Sequence, residues 1–447
     1  MNSYQLYTST PPWKLYAMVA IPGAVSMVAS SLWGLFDGIF VGQMVGETAF
    51  AALNLAFPFV MINFSLSDMI GVGSSVPISI ALGRKEEKEA GNIFTCACIL
   101  IVLTGMIMGA LIYAIAPWLM SLMGAEGELK NLAVRYIRVY ALWSPLTTIV
   151  FATDNYLRIC GQIRGSMLLN IAMSVVILAL EYVCLGVLDM DIGGSPFAVS
   201  LGLFLIGLGS LYPFFRGKLT LKFCRPKFSA SMLRQIVASG GPVFLNNISA
   251  HITGILFNIV LLRRGGAIAV SVYGVLLYAG DILRQVLYGA CDSLQPALGY
   301  NWGAGQPNRV KDIARCCLIV AAVISLGGSA LLLAFPVQVS SLFLKAPDQE
   351  LLTLTVHALR LYSLTFLTRW FGFAIQCFLI ALDRPRPATI LCLSNAFALP
   401  LLLLAALWPL GLDGMWLNTP ITSALVSLLA LYLLGKMRRS RKSSQLQ

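Results

Sequence analysis

Apolar residues run in blocks of about twenty along the whole chain, parted by short stretches where Lys, Arg, Gly and Pro collect. A block of that length, wound as a helix, crosses a hydrocarbon core of roughly 30 Å. The blocks lack the alternating period of barrel strands, so the pattern predicts helices. We read twelve spans, at roughly 15–40, 48–82, 92–117, 132–157, 166–188, 194–215, 236–262, 267–293, 312–335, 353–381, 388–409 and 414–435. Spans two, four, eight and ten are long, which predicts tilt or extension into water. The polar start, MNSYQLYTSTPPWK, is expected to carry no cleavable leader.

The pattern is written twice. Arg138-Val-Tyr-Ala-Leu recurs as Arg360-Leu-Tyr-Ser-Leu, 222 positions on, close to half of the 447 residues. At the same offset Phe151 meets Phe373, Leu157 meets Leu379 and Arg164 meets Arg386. Pro77 pairs with Pro296, and Phe36-Asp37 with Phe257-Asn258, at neighbouring offsets. Two similar bundles in one bilayer enclose a cleft, and a cleft that opens to either side implies a transporter.

Composition then excludes a soluble fold. Hydrophobic residues make up 58% and charged residues 11%, whereas soluble domains carry about 25% charged residues. The mean hydropathy is +0.82. The net charge of +12 raises the question of a nucleic-acid partner, but its placement answers it. With the N-terminus inside, 22 of the 31 basic residues fall on inner segments and seven, Lys345 among them, on outer segments or span ends. Such a bias reports topology, so no nucleic-acid partner is expected. Both termini are expected in the cytoplasm, in a plasma (inner) membrane. The connector RGKLTLKFCRPKFSASMLR holds six basic residues and no acid. It divides the chain into a six-helix lobe at 1–215, a linker at 216–234 and a second six-helix lobe with a basic tail at 235–447. An even number of spans per half gives both halves one orientation, related by an axis along the membrane normal. One chain supplies both lobes, so it is expected to act as a monomer. The ten cysteines form no CxxC pair and read as small packing residues, so no metal is expected.

Five segments resemble the multidrug and toxic compound extrusion (MATE) family. QPALGYNWGAGQPNRVK, Gln295–Lys311, is similar to the signature after that family's eighth helix. FDGIFVGQMVGETAFAALNLAFP from Phe36 and GVGSSVPISIALGRKEEKEAGN from Gly71 are its first-half counterparts. NYLRICGQIRGSM and FLIALDRPRPATI resemble the paired turns after helices four and ten. The resemblance covers the whole chain. It implies an all-α integral membrane fold of twelve helices in two pseudo-symmetric six-helix lobes, V-shaped. It also implies export of lipophilic, often cationic compounds driven by a proton or sodium gradient, with no other cofactor. Locally, Gly299, Gly303 and Gly305 lie where a helix leaves the membrane and turns, which needs positive φ or close backbone approach.

A charge inside a span costs at least ~2.5–3.5 kcal/mol, so each needs a partner or a purpose. Asp37, in the outer part of span one, matches the acid that the family uses for cation coupling; a carboxyl there can take a proton from outside and release it inside. The plainer alternative is a helix-end acid near water. Glu181, deep in span five, aligns with a second acidic family position. The family's neighbouring Asn and Thr fall at Ile177 and Val199 here, so two neutral oxygens are missing. Sodium wants several oxygens and a proton needs one basic group, which favours protons.

The remaining candidates line the cleft or stabilise it. Asp68 sits among Asn63, Ser65 and Ser67; Asp154 is four before Arg158 and reads as an i,i+4 ion pair. Asn155 resembles a polar position of the first-lobe network. Span seven is polar, with Asn247 as a cavity candidate and His251 as a second titrating one. Span ten carries Arg369 and no acid; Arg369 is expected to pair with Asp281 or Asp292, while Asp281 and Arg284 are spaced to neutralise each other. Tyr140 and Trp370 are aromatic candidates for stacking on a flat cation, though most such residues anchor or pack. The expected partners are a small lipophilic or cationic substrate, the coupling proton or Na⁺, and membrane lipid. A lipid-linked oligosaccharide flippase is the alternative, but it would need more intramembrane arginines than Arg284 and Arg369. No serine-hydrolase, HExxH or phosphate-loop signature supports an enzyme, and no catalytic residue is expected.

Overall fold

Every regular element among the described residues is helical. The structure, a computed structural model, describes residues 2–343 and 349–444. Lys345 lies outside them, as do the side chains of the basic tail beyond Met437. The helices are α1 (Ser3–Ser9), α2 (Pro12–Phe40), α3 (Glu47–Gly83), α4 (Glu87–Leu122), α5 (Gly127–Thr147), α6 (Ile149–Ile159), α7 (Ile163–Glu181) and α8 (Gly194–Phe215) in the first half. The second half continues with α9 (Ala230–Asp292), α10 (Gln295–Gly303), α11 (Pro307–Ala334), α12 (Pro336–Phe343), α13 (Gln349–Ser363), α14 (Thr365–Ala381), α15 (Pro385–Leu393), α16 (Leu399–Ala406) and α17 (Gly411–Ser444).

Ten of the described helices are long and apolar enough to cross a membrane, and the bent pair α13–α14 makes an eleventh. The expected fourth span is the pair α5–α6. Lys130, Arg135 and Arg138 near its start and Asp154 and Arg158 near its end dilute its apolar character. The expected seventh and eighth spans run together as α9, broken at Gly266, whose φ of 62° no helix tolerates.

The duplication is visible in the turns. Backbone positions with positive φ recur at offsets of 220 to 222: Gly46 with Gly266, Lys85 with Gly305, Gly161 with Asp383, and Asp189 with Gly411. Two of these pairs share a hydrogen-bond pattern. Gln162 N–H donates to Leu157 and Gly161 N–H to Arg158, as Arg384 does to Leu379 and Asp383 to Ile380. This is the Schellman closure, which satisfies the last carbonyls of a helix and needs one left-handed residue. Gly305 serves that role after α10, as the sequence predicts.

Packing explains the V shape. One buried cluster belongs to the first half alone, from Val41 to Leu203, and another to the second half alone, from Phe257 to Trp416. Both are centred away from the basic segments. The clusters that join the halves lie toward the basic end, where Leu6, Tyr7, Ile78 and Tyr156 pack with Leu287, Leu294, Tyr300 and Ile313. There the helices touch backbone to backbone. A Cβ at Gly73 or Gly240 would strike the facing backbone of α9 or α3, and one at Gly303 would strike Ile80 and Gly83. With glycines at these crossings, the halves close at the basic end and part at the other, here called the far end.

Candidate functional site

The first half buries two carboxyls side by side. Asp37, near the end of α2, is 2% exposed and Glu181, the last residue of α7, is fully buried. Each precedes a stretch where the helix widens by one residue per turn, Val41–Val45 and Tyr182–Val187. Such widened turns recur at functional positions because they re-aim side chains. Ser195 Oγ, at the start of α8, donates to Asp37 Oδ1 at 2.6 Å. Glu181 lies beside Asp37, close enough for the two carboxyls to share a hydrogen bond when one is protonated, and no other donor is assigned to its two buried oxygens among the described residues. Tyr136 and Tyr140 face the pair from α5, and the Tyr140 hydroxyl is buried without a partner. No ion pair reaches either acid among the described residues, so the protein holds two carboxyls close together without a basic side chain to balance them.

Asp37 also borders open space. A cavity of about 430 Å³ at the far end is lined by Gly34, Asp37, Gly38, Gln43, Phe50 and Asn54, with Tyr278 from the second half. The acid pair thus borders the far-end cavity across a wall that includes Gly34, Gly38 and Gly42.

Sequence reasoning placed the missing helix-six oxygen at Val199, which is buried in apolar packing. The hydroxyl is present one turn earlier, on Ser195, four residues back on the same helix face. Neither Ser195 nor Tyr136 was singled out. The available signal was the i,i+4 relation to Val199, and a search one turn either side would have found the serine.

A second cavity, about 310 Å³, lies between the halves. Asp68, Asp154, Asn155, Asn247, Asp292 and Gln376 line it, with Ser26 and Tyr288. Asp68 faces Asn247 across the two halves. Asp154 pairs with Arg158, as expected from their spacing, and also accepts from Ser166 and from Asn170 Nδ2 at 2.8 Å. Ser30 Oγ donates to Asn170 Oδ1 at 2.9 Å, so the network ties α2, α6 and α7 together. Tyr288 stacks on Phe373 with centroids 4.2 Å apart, which gives the cavity a flat aromatic wall.

The other candidates fall elsewhere. His251 is exposed on α9, makes no hydrogen bond and lines neither cavity. Tyr140 belongs with the acid pair. Trp370 is half-buried, and its indole N–H donates to Leu367 on its own helix at 3.0 Å. Asp281 pairs with Arg284, as its spacing predicts. Arg369 pairs with neither Asp281 nor Asp292. Asp281 is occupied by Arg284, and Asp292 accepts from Gln295. Among the described residues no cluster of three His, Cys, Asp or Glu side chains is placed to hold a metal.

At the basic end the short helix α1 fills the seam. Tyr7 is fully buried, its hydroxyl donates to the Arg158 carbonyl, and its ring lies 4.9 Å from that of Tyr300. Its own carbonyl accepts from Asn301 Nδ2 at 2.9 Å and from Arg309, which also donates to the Thr10 carbonyl at 2.7 Å. Tyr300 OH donates to the Ile159 carbonyl at 3.1 Å. One short helix of about two turns thereby staples the end of α6 to α10 and α11. The sequence carried no signal for this, because the acceptors are backbone carbonyls.

Comparisons with known proteins agree with this fold. The MatE family model matches the chain twice, over residues 22–183 and 242–404. The multidrug export protein MepA of Staphylococcus aureus is 23% identical over 446 residues, covering 98% of this chain and 97% of that protein. An outward-facing structure of a multidrug resistance MATE family transporter of the MOP superfamily superposes with a TM-score of 0.93, at 22% identity over 99% of each chain. A MATE crystal structure in complex with MaL6 gives 0.93 at 23% identity, over 99% of this chain and all of that one.

Proposed function

Because the chain belongs to the MatE family of transporters, we propose that it is a secondary antiporter that exports lipophilic cationic small molecules in exchange for protons. The observation that carries this reading is the Asp37–Glu181 pair, buried, bonded by Ser195 and bordering the far-end cavity. The name of its S. aureus relative, a multidrug export protein, supports the substrate class.

A proton entering from the far end neutralises the acid pair and loosens the bond that ties α2 to α8. The first half then repacks around α2, and the substrate leaves outward. With the basic end open, the proton departs inward and the restored charge again favours a cationic guest in the cavity that Asp68, Asn155 and Asn247 line. Protons are favoured over sodium because Ile177 adds no oxygen and Ser195 supplies a single hydroxyl in place of Val199, whereas a hard cation wants several oxygens. The described form is closed at the basic end, so it stands at the outward-open step of this cycle. The basic end, with both termini, is cytoplasmic by its charge, in the inner membrane. One chain suffices, and the lobes divide at 216–234.

The test is ion release from energised inside-out vesicles on addition of a panel of cationic dyes and drugs, with and without sodium. Wild type should release protons on substrate addition, independent of sodium, and Asp37→Asn should release none while remaining folded in the membrane. Retained exchange in the variant would sink the assignment of Asp37.

A further inference from the structure

The two halves differ where the connector lies. In the first half it crosses the start of α4 at the basic end. Lys227 N–H donates to Asn92 Oδ1 at 2.8 Å, and Asn92 Nδ2 donates to the Lys227 carbonyl at 3.0 Å. Cys224 N–H donates to Thr95 Oγ1 at 3.1 Å. Gly91 lets the backbone come close, since a Cβ there would stand 3.2 Å from the Lys222 carbonyl. Beside these contacts Phe94 is fully buried, its ring 5.1 Å from that of Tyr156 and 4.8 Å from that of Phe223 in the connector. That face of the first half is filled.

In the second half α11 is the counterpart of α4. The turns before the two helices match at an offset of 220, with positive φ at Lys85 and at Gly305. Their closing bonds match too: Glu86 N–H donates to Ala81 as Gln306 N–H donates to Asn301. At that offset Ala314 stands for Phe94, Lys311 for Gly91, Asp312 for Asn92 and Arg315 for Thr95. Each residue that receives the connector has changed, and the largest of them has become an alanine. A groove of about 320 Å³ opens there, roughly ten times the ~30 Å³ share of a water molecule in the liquid. Leu298, Leu318, Ile375, Phe378 and Leu434 give it an apolar lining.

Lys311 and Arg315, one turn apart on α11, also line the groove. Both are exposed and form no ion pair or hydrogen bond among the described residues. Asp312, between them in sequence, lies outside the lining. One turn further along the same face come Ile319 and then Val323, 45% and 66% exposed. An apolar face left bare turns to hydrocarbon, so the two cations stand where lipid headgroups begin. The segment of this chain that would take the connector's path is its last ten residues, 438–447. They carry Arg438, Arg439, Arg441 and Lys442, which Lys311 and Arg315 repel. A basic rim over an apolar floor between spans fits an anionic head with a hydrocarbon chain.

We propose that the groove between α11, α14 and α17 binds one anionic phospholipid of the leaflet at the basic end. An acyl chain lies over Ala314, and the phosphate sits at Lys311 and Arg315. The proposal does not rest on the exporter reading.

The experiment is native mass spectrometry of the purified full-length protein in detergent. Dioleoyl phosphatidylglycerol and dioleoyl phosphatidylcholine are added in equal amounts, and the lipids that stay bound are counted. Wild type should retain one phosphatidylglycerol, favoured roughly tenfold over phosphatidylcholine. The double variant Lys311→Gln, Arg315→Gln should hold the two lipids equally. Ala314→Phe fills the hole as Phe94 does and should retain one lipid fewer than wild type. Thermal midpoints in lipid-free detergent check that both variants are folded. Equal retention of the two lipids by wild type overturns the proposal, as does an unchanged preference in the double variant. An undiminished lipid count in folded Ala314→Phe overturns it too. If phosphatidylglycerol is retained only after residues 438–447 are removed, the tail is the occupant and the proposal falls. Should Ala314→Phe not fold, the double variant decides alone, because its two side chains are exposed.

Discussion

Ser195 is the smallest part of the coupling site and the easiest to test. Its hydroxyl makes the one short hydrogen bond to the buried Asp37 carboxyl. Ser195→Ala leaves a buried acceptor bare, at a cost of roughly 1–3 kcal/mol. The expected result is a lower thermal midpoint in detergent and slower substrate-evoked ion release, with both restored in Ser195→Thr. A Ser195→Ala protein that matches wild type in both readouts would remove the serine from the site. At this scale the sequence was legible where a charge interrupts an apolar block. Asp37, Glu181 and the Asp154–Arg158 pair stand out because their insertion cost is high and their spacing regular. Ser195 and Tyr136 did not, since hydroxyls are common in apolar helices and only packing tells which of them reach an acid. Arg369 was visible as a charge, yet its lack of a partner is a fact of the folded chain.

Helices were read nearly to their ends, because a hydrophobic block of fixed length has one stable form in a bilayer. What escaped was how they meet. The seam at the basic end depends on glycines that bring backbones together and on a short helix, α1, whose bonds end mostly on carbonyls. Two substitutions probe that seam. Tyr7→Phe loses one hydrogen bond and should cost about 0.5–1.5 kcal/mol, while Tyr7→Ala also empties a buried aromatic site and should cost about 3–5 kcal/mol. Thermal midpoints that fall equally in both would mean that the ring does not pack as described. Gly303→Val places a side chain against Ile80 and Gly83. Spin labels at positions 88 and 311, in a background without native cysteines, should report a longer distance across the basic end in this variant. An unchanged distance would show that the seam tolerates the added volume.

The whole molecule is two copies of one plan, and the copy was legible at both levels, as Arg138/Arg360 in residues and as Gly46/Gly266 and Gly161/Asp383 in turns. Each half has a core of its own toward the far end. The chain should therefore tolerate a cut in the connector. Fragments 1–217 and 218–447, expressed together, should assemble and restore drug efflux in a sensitive strain; two fragments that reach the membrane but never copurify would show that the lobes cannot form apart. Assembly also has an order in time, set by the staple at the basic end. The helix α1 is made well before the side chains that grip it, since Asn301 and Arg309 follow some 294 to 302 positions later. At synthesis rates of ~5–20 residues per second, that is a wait of roughly 15–60 s. Through that interval Tyr7 has no second-half partner, and α1 can dock fully only after α10 and the start of α11 have been made.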